Sequence, residues 1–136
     1  MNDNLYFKYG EKEINHLRKM DKKLGAVIGH VGIIKRPVNP DVFSALVESI
    51  VSQQISSKAA NTVCLKLHNL CGIEAERLAA LTVEEIQSCG MSMRKAGCVK
   101  GVAEAALNKS IDFDSLSGMS DNEIITALTT LKGVGV

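Results

Sequence analysis

Three short polar segments contain the residue types that could do chemistry in this chain. Residues 52–58 read Ser-Gln-Gln-Ile-Ser-Ser-Lys, residues 90–96 read Gly-Met-Ser-Met-Arg-Lys-Ala, and residues 133–135 read Gly-Val-Gly. Adjacent amides and hydroxyls, as in the first segment, can hydrogen-bond the edges of nucleobases or fill a gap in a base stack. Each segment falls at the end of a helical pattern, where side chains and backbone groups are free to bind.

The second and third segments suit an anion. Arg94 and Lys95 lie in the first turn of a predicted helix, where the helix dipole disfavours cations unless an anion is bound nearby. Gly133 and Gly135 flank one valine, and residues without a Cβ let the backbone bend sharply and approach another surface closely. Such a turn normally leads into a second helix, whose first N–H groups are free to hold an anion such as phosphate.

Each segment also has a purely structural interpretation. Gly133 can be the left-handed cap that ends a helix. Ser56 can cap a helix and leave Gln53 and Gln54 as exposed side chains. The charged turn at Arg94 can be a solvated helix start. From the spacing of these residues alone, both interpretations stay open.

The remaining side chains form no catalytic or metal-binding pattern. The histidines are scattered, and the cysteines have neither Cys-x-x-Cys spacing nor paired histidines, so we expect reduced, mostly buried thiols and no metal site. Asp112 and Asp114 flank a phenylalanine in a loop, where a helix-cap role is expected for their carboxylates. The scattered residues are His16, His30, His68, Cys64, Cys71, Cys89 and Cys98.

The composition predicts one helical domain without a global charge signal. The chain has 136 residues, of which 46% are apolar, and its formal net charge is +1. A near-neutral chain has no overall basic field, so any DNA binding must come from a local patch. The N-terminus lacks the basic stub and apolar run of a signal peptide, and no apolar stretch is long enough to cross a bilayer. We therefore expect a cytoplasmic protein without a membrane partner.

Apolar residues recur with helical period along nearly the whole chain, and no stretch alternates with period two. The pattern predicts an all-α fold, a bundle of about six short helices. Two capping boxes are present, because Thr82 and Ser120 are each followed three residues later by a glutamate. The predicted helices cover residues 11–29, 39–54, 56–71, 82–90, 94–107 (with Ser92 as the cap) and 120–131.

In their order and spacing, the three segments resemble consecutive blocks of the helix-hairpin-helix DNA glycosylases. The blocks run over residues 43–60, 89–96 and 131–135. Within that superfamily the chain resembles the bacterial 3-methyladenine (alkylbase) glycosylases most, and endonuclease III more distantly. The resemblance covers residues 40–136, so we expect an N-terminal helix and connector at residues 1–38 and a helical glycosylase domain at residues 39–136.

The resemblance implies a role for each segment. The first would be a wedge in the minor groove, with Gln54 filling the space left by an extruded nucleotide. The second would be a helix start near the DNA backbone. The third would be a hairpin whose N–H groups bind a phosphate, often helped by a monovalent cation on hairpin carbonyls. The residues so assigned are Gln53, Gln54 and Ile55 for the wedge, Ser92, Arg94 and Lys95 for the helix start, and Gly133, Val134 and Gly135 for the hairpin.

The implied partner is double-stranded DNA with a damaged base, and the implied activity is hydrolysis of the N-glycosidic bond of an alkylated base. The catalytic Asp of the family lies beyond the hairpin and past Val136, so no residue of this chain is assigned as catalytic. We therefore expect an N-terminal fragment that is inactive alone. The alternatives are a non-catalytic DNA-binding domain and a helical interaction domain, whose exposed apolar surface would favour self-association.

Overall fold

The fold is all-α, as predicted. The structure is a computed structural model that describes residues 5–136, and within that range it contains eight α-helices, one short 3-10 helix and no β-sheet. The described residues up to Pro40 form one compact unit, and Asp41–Val136 form a second. The helices are α1 (Glu11–Met20), α2 (Lys22–Val31), α3 (Val42–Ser52), α4 (Ser57–Cys71), α5 (Ala75–Ala80), α6 (Val83–Gln87), α7 (Met93–Leu107), the 3-10 helix (Leu116–Gly118) and α8 (Asp121–Leu128).

The N-terminal unit contains two helices where the sequence predicted a single helix over residues 11–29. Asp21 adopts an extended backbone, with φ −137° and ψ 110°, and its carboxylate accepts hydrogen bonds from the N–H groups of Lys23 and Leu24. An Asp at a helix start satisfies donors that have no partner within the helix, so α2 begins anew at Lys22. The helices then approach closely, since a Cβ at Gly25 would lie 3.2 Å from the Cα of Arg18.

The core of the second unit is formed by the inner faces of α3 to α7. The largest fully buried side chains include Ile50, Leu67, Leu78, Ile86 and Val99, one from each of these five helices. Helix α7 packs against α3, α5 and α6. Its buried residues are alanines and valines, which allow close approach from several sides. The first turn of α7 is thereby held in place relative to the end of α3.

Several helix boundaries in this unit differ from the predictions. Helix α3 begins at Val42 rather than at residue 39, because the Asp41 side chain caps it by accepting the Ser44 N–H. It ends at Ser52 rather than at residue 54.

Helix α5 was not among the predicted helices. Its N-cap Glu74 makes no side-chain hydrogen bond, and only the burial of Leu78 marks it as a core element. Helix α8 ends at Leu128 rather than running to residue 131. After it, the hydroxyls of Thr129 and Thr130 donate to Ile125 and Ala127 carbonyls, which satisfies acceptors at the helix end.

Four other predicted helix starts in this unit are confirmed. Thr82 and Ser120 each form a complete capping box with the glutamate three residues on. The side chain of Ser56 accepts from the Ala59 N–H at the start of α4, and the side chain of Ser92 caps α7. The turns that precede α4 and α7 are therefore defined by local hydrogen bonds.

Candidate functional site

The three polar segments line one cleft in the second unit. The cleft has a volume of about 380 Å³ and lies between the α3–α4 turn, the start of α7 and the turn that follows α8. Segments far apart in the sequence therefore share one surface. The lining residues are Ile50, Gln53, Gln54, Ile55, Gly90, Met91, Ser92, Arg94, Lys95, Cys98 and Gly133.

The α3–α4 turn presents Gln54 in a strained conformation. Its φ is +60°, in the left-handed region that L-residues rarely adopt. The side chain is exposed and donates or accepts no hydrogen bond within residues 5–136. The neighbouring Ile55 side chain is 41% exposed. Strained residues persist where the surrounding structure holds them and often coincide with functional sites, so Gln54 is a candidate for direct binding.

The other glutamine of the turn joins it to the C-terminal segment. Gln53 Nε2 donates a hydrogen bond of 2.9 Å to the Gly133 carbonyl. These residues are 80 positions apart in the sequence, so the spacing of the motifs could not indicate this contact. The interaction makes Gln53 a link between the α3–α4 turn and the Gly-Val-Gly segment.

The first turn of α7 contains two cations in different environments. Arg94 is exposed, and its guanidinium has no ion-pair or hydrogen-bond partner in the described part of the chain. Lys95 is half-buried, and its Nζ donates to the carbonyls of Val51 and Gln53, each at 2.8 Å. Only Arg94 therefore offers a free charge to a ligand, although the sequence grouped the two residues together.

Lys95 caps the C-terminal end of α3 from a distance. A cation at a helix C-terminus satisfies carbonyls that have no partner in the helix and opposes the negative end of the dipole. Lys100, further along α7, caps the C-terminal end of α5 in the same way. Its Nζ donates to the carbonyls of Ala79 and Leu81. Sequence reasoning missed this role because the Lys95 acceptors lie 44 and 42 residues away.

The Gly-Val-Gly segment approaches α7 closely. Gly133 has φ +87°, and a Cβ built there would lie 2.9 Å from Cys98 Sγ and 3.1 Å from Cys98 Cβ. Val134 is half-buried against the core, which anchors the turn. The amide N–H groups of Gly133 and Gly135 donate to no acceptor among the described residues. The turn thus exposes two backbone donors while its middle residue is held.

One hairpin carbonyl is already engaged, because the Gly133 oxygen accepts the Gln53 amide. A carbonyl oxygen has two lone pairs, so this bond leaves one of them open to a second donor or a cation. Among residues 5–136, no cluster of three or more His, Cys, Asp or Glu side chains is arranged to hold a metal ion.

The cleft carries positive charge without carboxylates. Its described lining contains Arg94 and Lys95 but no Asp or Glu. Burial raises the pKa of the Cys64, Cys71 and Cys89 thiols above the usual cysteine range, which keeps them protonated and poor nucleophiles. Asp112 accepts the Asp114 N–H and so supports a loop turn outside the cleft. The described helices include none long and apolar enough to cross a membrane.

The second unit matches a known repair family. Residues 47–134, from the middle of α3 to the hairpin turn, match the HhH-GPD superfamily base excision DNA repair protein family. The chain belongs to the HhH-GPD superfamily. The matched HhH-GPD region includes every residue that lines the cleft.

Individual proteins and solved structures are similar to this HhH-GPD chain over more than nine tenths of its length. An alkylbase DNA glycosidase-like protein of Schizosaccharomyces pombe is 31% identical, over 94% of this chain and 62% of that protein. The solved DNA-3-methyladenine glycosidase of Bacillus halodurans is 31% identical with a TM-score of 0.73, over 96% of this chain and 62% of that one. The S. pombe 3-methyladenine DNA glycosylase in complex with abasic DNA is 28% identical with a TM-score of 0.81, over 91% and 64% respectively. The chain thus spans less than two thirds of their length.

Proposed function

We propose that this chain is the DNA-engaging part of a base-excision DNA glycosylase that hydrolyses the N-glycosidic bond of alkylated, 3-methyladenine-type bases. The names of the relatives support the reaction and the substrate class. The observation that carries the proposal is the joining of a strained, unpaired Gln54, a free Arg94 and the unpaired amide of Gly133 in a single cleft. We place the protein in the bacterial cytoplasm, where its reduced thiols are stable.

Each part of the cleft has a role in this proposal. A base inside duplex DNA must be extruded before its glycosidic bond can be reached, at a cost of a few kcal/mol. Gln54 enters the minor groove and fills the vacated space, which offsets lost stacking. Arg94 and the amides of Gly133 and Gly135 bind backbone phosphates, which fixes the register of the protein on the duplex without reading sequence. Lys95 and Gln53 hold the wedge turn, which is the α3–α4 turn that contains Gln54, in position.

A second candidate function is a DNA-binding module without catalysis. The described cleft lining contains no carboxylate that could activate water or stabilise a developing positive charge on the sugar. The glycosylase and the binding module share the same wedge and phosphate contacts. They differ only in base release, so binding and excision must be measured separately.

The wedge role predicts opposite effects of Gln54→Gly on stability and binding. Glycine relieves the left-handed strain, so the free energy of unfolding should rise by up to about 1 kcal/mol, the entropy of glycine offsetting part of the gain. Loss of the side chain should weaken binding to a duplex with an abasic-site analogue about tenfold, or about 1.4 kcal/mol. Urea denaturation and fluorescence anisotropy measure the two quantities.

Two variants control this experiment. Gln54→Ala should weaken binding equally while leaving the strain, and hence the stability, unchanged. Lys109→Gly removes strain at another left-handed residue, with φ +62°, at the opposite end of α7 from the cleft. It should raise stability and leave affinity unchanged. Unaltered binding by both Gln54 variants would contradict the wedge role.

The charge of the cleft predicts binding without excision by the 136-residue chain. Because its described lining supplies no carboxylate, the chain should bind abasic-analogue DNA but release no 3-methyladenine above the uncatalysed rate from alkylated DNA. Chromatography of released bases measures this. Release at the rate of a full-length relative assayed in parallel would show that the catalytic group lies within these residues.

Sedimentation over a concentration series tests the remaining interpretation, a self-associating interaction domain.

A further inference from the structure

A second groove continues from the cleft along α4. It has a volume of about 430 Å³ and is lined by the first ten residues of α4 and the turn before α7, including Lys58, Thr62, Lys66 and Gly90. Gly90 also lines the cleft described above, so the two surfaces are continuous at this residue. A ligand that lies in the cleft and extends past Gly90 would therefore meet the side chains of α4.

The groove carries unpaired positive charge. Lys58 and Lys66 are exposed, and neither ammonium has an ion-pair or hydrogen-bond partner within residues 5–136. Helix α4 contains no Asp or Glu in any of its 15 residues, and the described groove lining adds none. Lys58 lies in the first turn, where the helix dipole already contributes positive potential. The groove is therefore a local basic surface on a chain with a net charge of only +1.

The spacing of the two ammonium groups suits an extended polyanion. Lys58 and Lys66 are separated by eight residues on the same side of the helix, or about 12 Å along its axis. One DNA strand rises about 3.4 Å per phosphate, so the lysines span three to four nucleotides. The Thr62 hydroxyl between them donates to the Lys58 carbonyl at 3.0 Å, so the two ammonium groups are the charged donors of the groove.

We propose that the groove of Lys58 and Lys66 is a second phosphate-binding surface, which holds the sugar-phosphate backbone of the duplex whose damaged nucleotide occupies the cleft. The inference rests on the proposed function, because the duplex must first engage Gln54 and the hairpin. Charge complementarity and continuity at Gly90 favour DNA over any other occupant. Contacts to phosphate alone add affinity for all sequences, without adding preference for the lesion.

The test measures the salt dependence of binding by the full 136-residue chain. Each lost phosphate contact reduces the slope of log affinity against log salt by about 0.9. Lys66→Gln should therefore reduce the slope by about 0.9 and Lys58→Gln/Lys66→Gln by about 1.8. Affinity should fall by the same factor for an undamaged duplex and for one with an abasic analogue. Glutamine keeps the helix propensity, and thermal unfolding followed by circular dichroism verifies the fold of each variant.

Lys109→Gln is the matched control, because it removes one exposed lysine charge beyond the C-terminal end of α7. Its slope should equal that of the unmodified chain. An unchanged slope in the double variant, with Gln54→Ala still weakening abasic-duplex binding, would overturn the groove while the proposed function stands. A slope reduced as much by Lys109→Gln as by Lys66→Gln would overturn it as well, because the loss would then not depend on the position of the charge. No binding of either duplex by the unmodified chain at low salt would overturn both proposals.

Discussion

Gly133→Val is expected to lower the free energy of unfolding by about 2–4 kcal/mol and to remove measurable binding to abasic-site DNA. Two costs add at this position. Residue 133 has φ +87°, which a β-branched residue avoids strongly, and its Cβ would meet Cys98 Sγ at 2.9 Å. Because Val134 is anchored in the core, the turn cannot shift without losing packing. Urea denaturation and fluorescence anisotropy would measure both effects.

Gly135→Val is the control for the Gly133 result. A Cβ at Gly135 meets nothing within 4 Å, and its φ lies outside the left-handed region, so stability should change by less than about 0.5 kcal/mol. A second comparison separates strain from collision. Cys98→Ala should partly rescue Gly133→Ala by removing Sγ, while the backbone strain remains. Equal stability of the Gly133 and Gly135 valine variants would contradict the close approach to α7.

Lys95→Met is expected to destabilise the fold by about 1–3 kcal/mol, because the carbonyls of Val51 and Gln53 lose their shared donor. Gln53 and Gln54 follow directly on these acceptors, so the wedge turn should loosen and lesion binding should weaken as well. The neighbouring Arg94→Met should change stability by less than about 0.5 kcal/mol, because Arg94 is exposed and unpaired in the described structure.

A salt titration of DNA binding should distinguish the role of Arg94 from that of Lys95. Arg94→Met should reduce the salt slope of DNA binding by about 1, as expected for one lost phosphate contact. Lys95→Met should leave most of that slope intact, because its ammonium serves the protein rather than the DNA. If Lys95→Met preserves stability and reduces the slope as Arg94→Met does, then Lys95 binds phosphate directly and the capping role is wrong.

Local signals in the sequence predicted much of the fold. Helix starts at Ser56, Thr82, Ser92 and Ser120 depend on hydrogen bonds within three residues, so a single sequence contains all the information they need. The same holds for the all-α class, which follows from apolar periodicity. Weak local signals produced the errors. Helix α5 has no side-chain cap, and the break at Asp21 competes with a continuous apolar stripe.

The sequence by itself determined which residue types could engage DNA and that they follow helix ends. Tertiary structure decided how they work together. Lys95 was assigned to the DNA backbone with Arg94, yet its ammonium binds carbonyls more than 40 residues away. Gln53 meets Gly133 across 80 residues. The groove of Lys58 and Lys66 adjoins the cleft only because α4 and the turn before α7 are neighbours in space. Such roles depend on packing between distant segments, and local propensity carries no information about that packing.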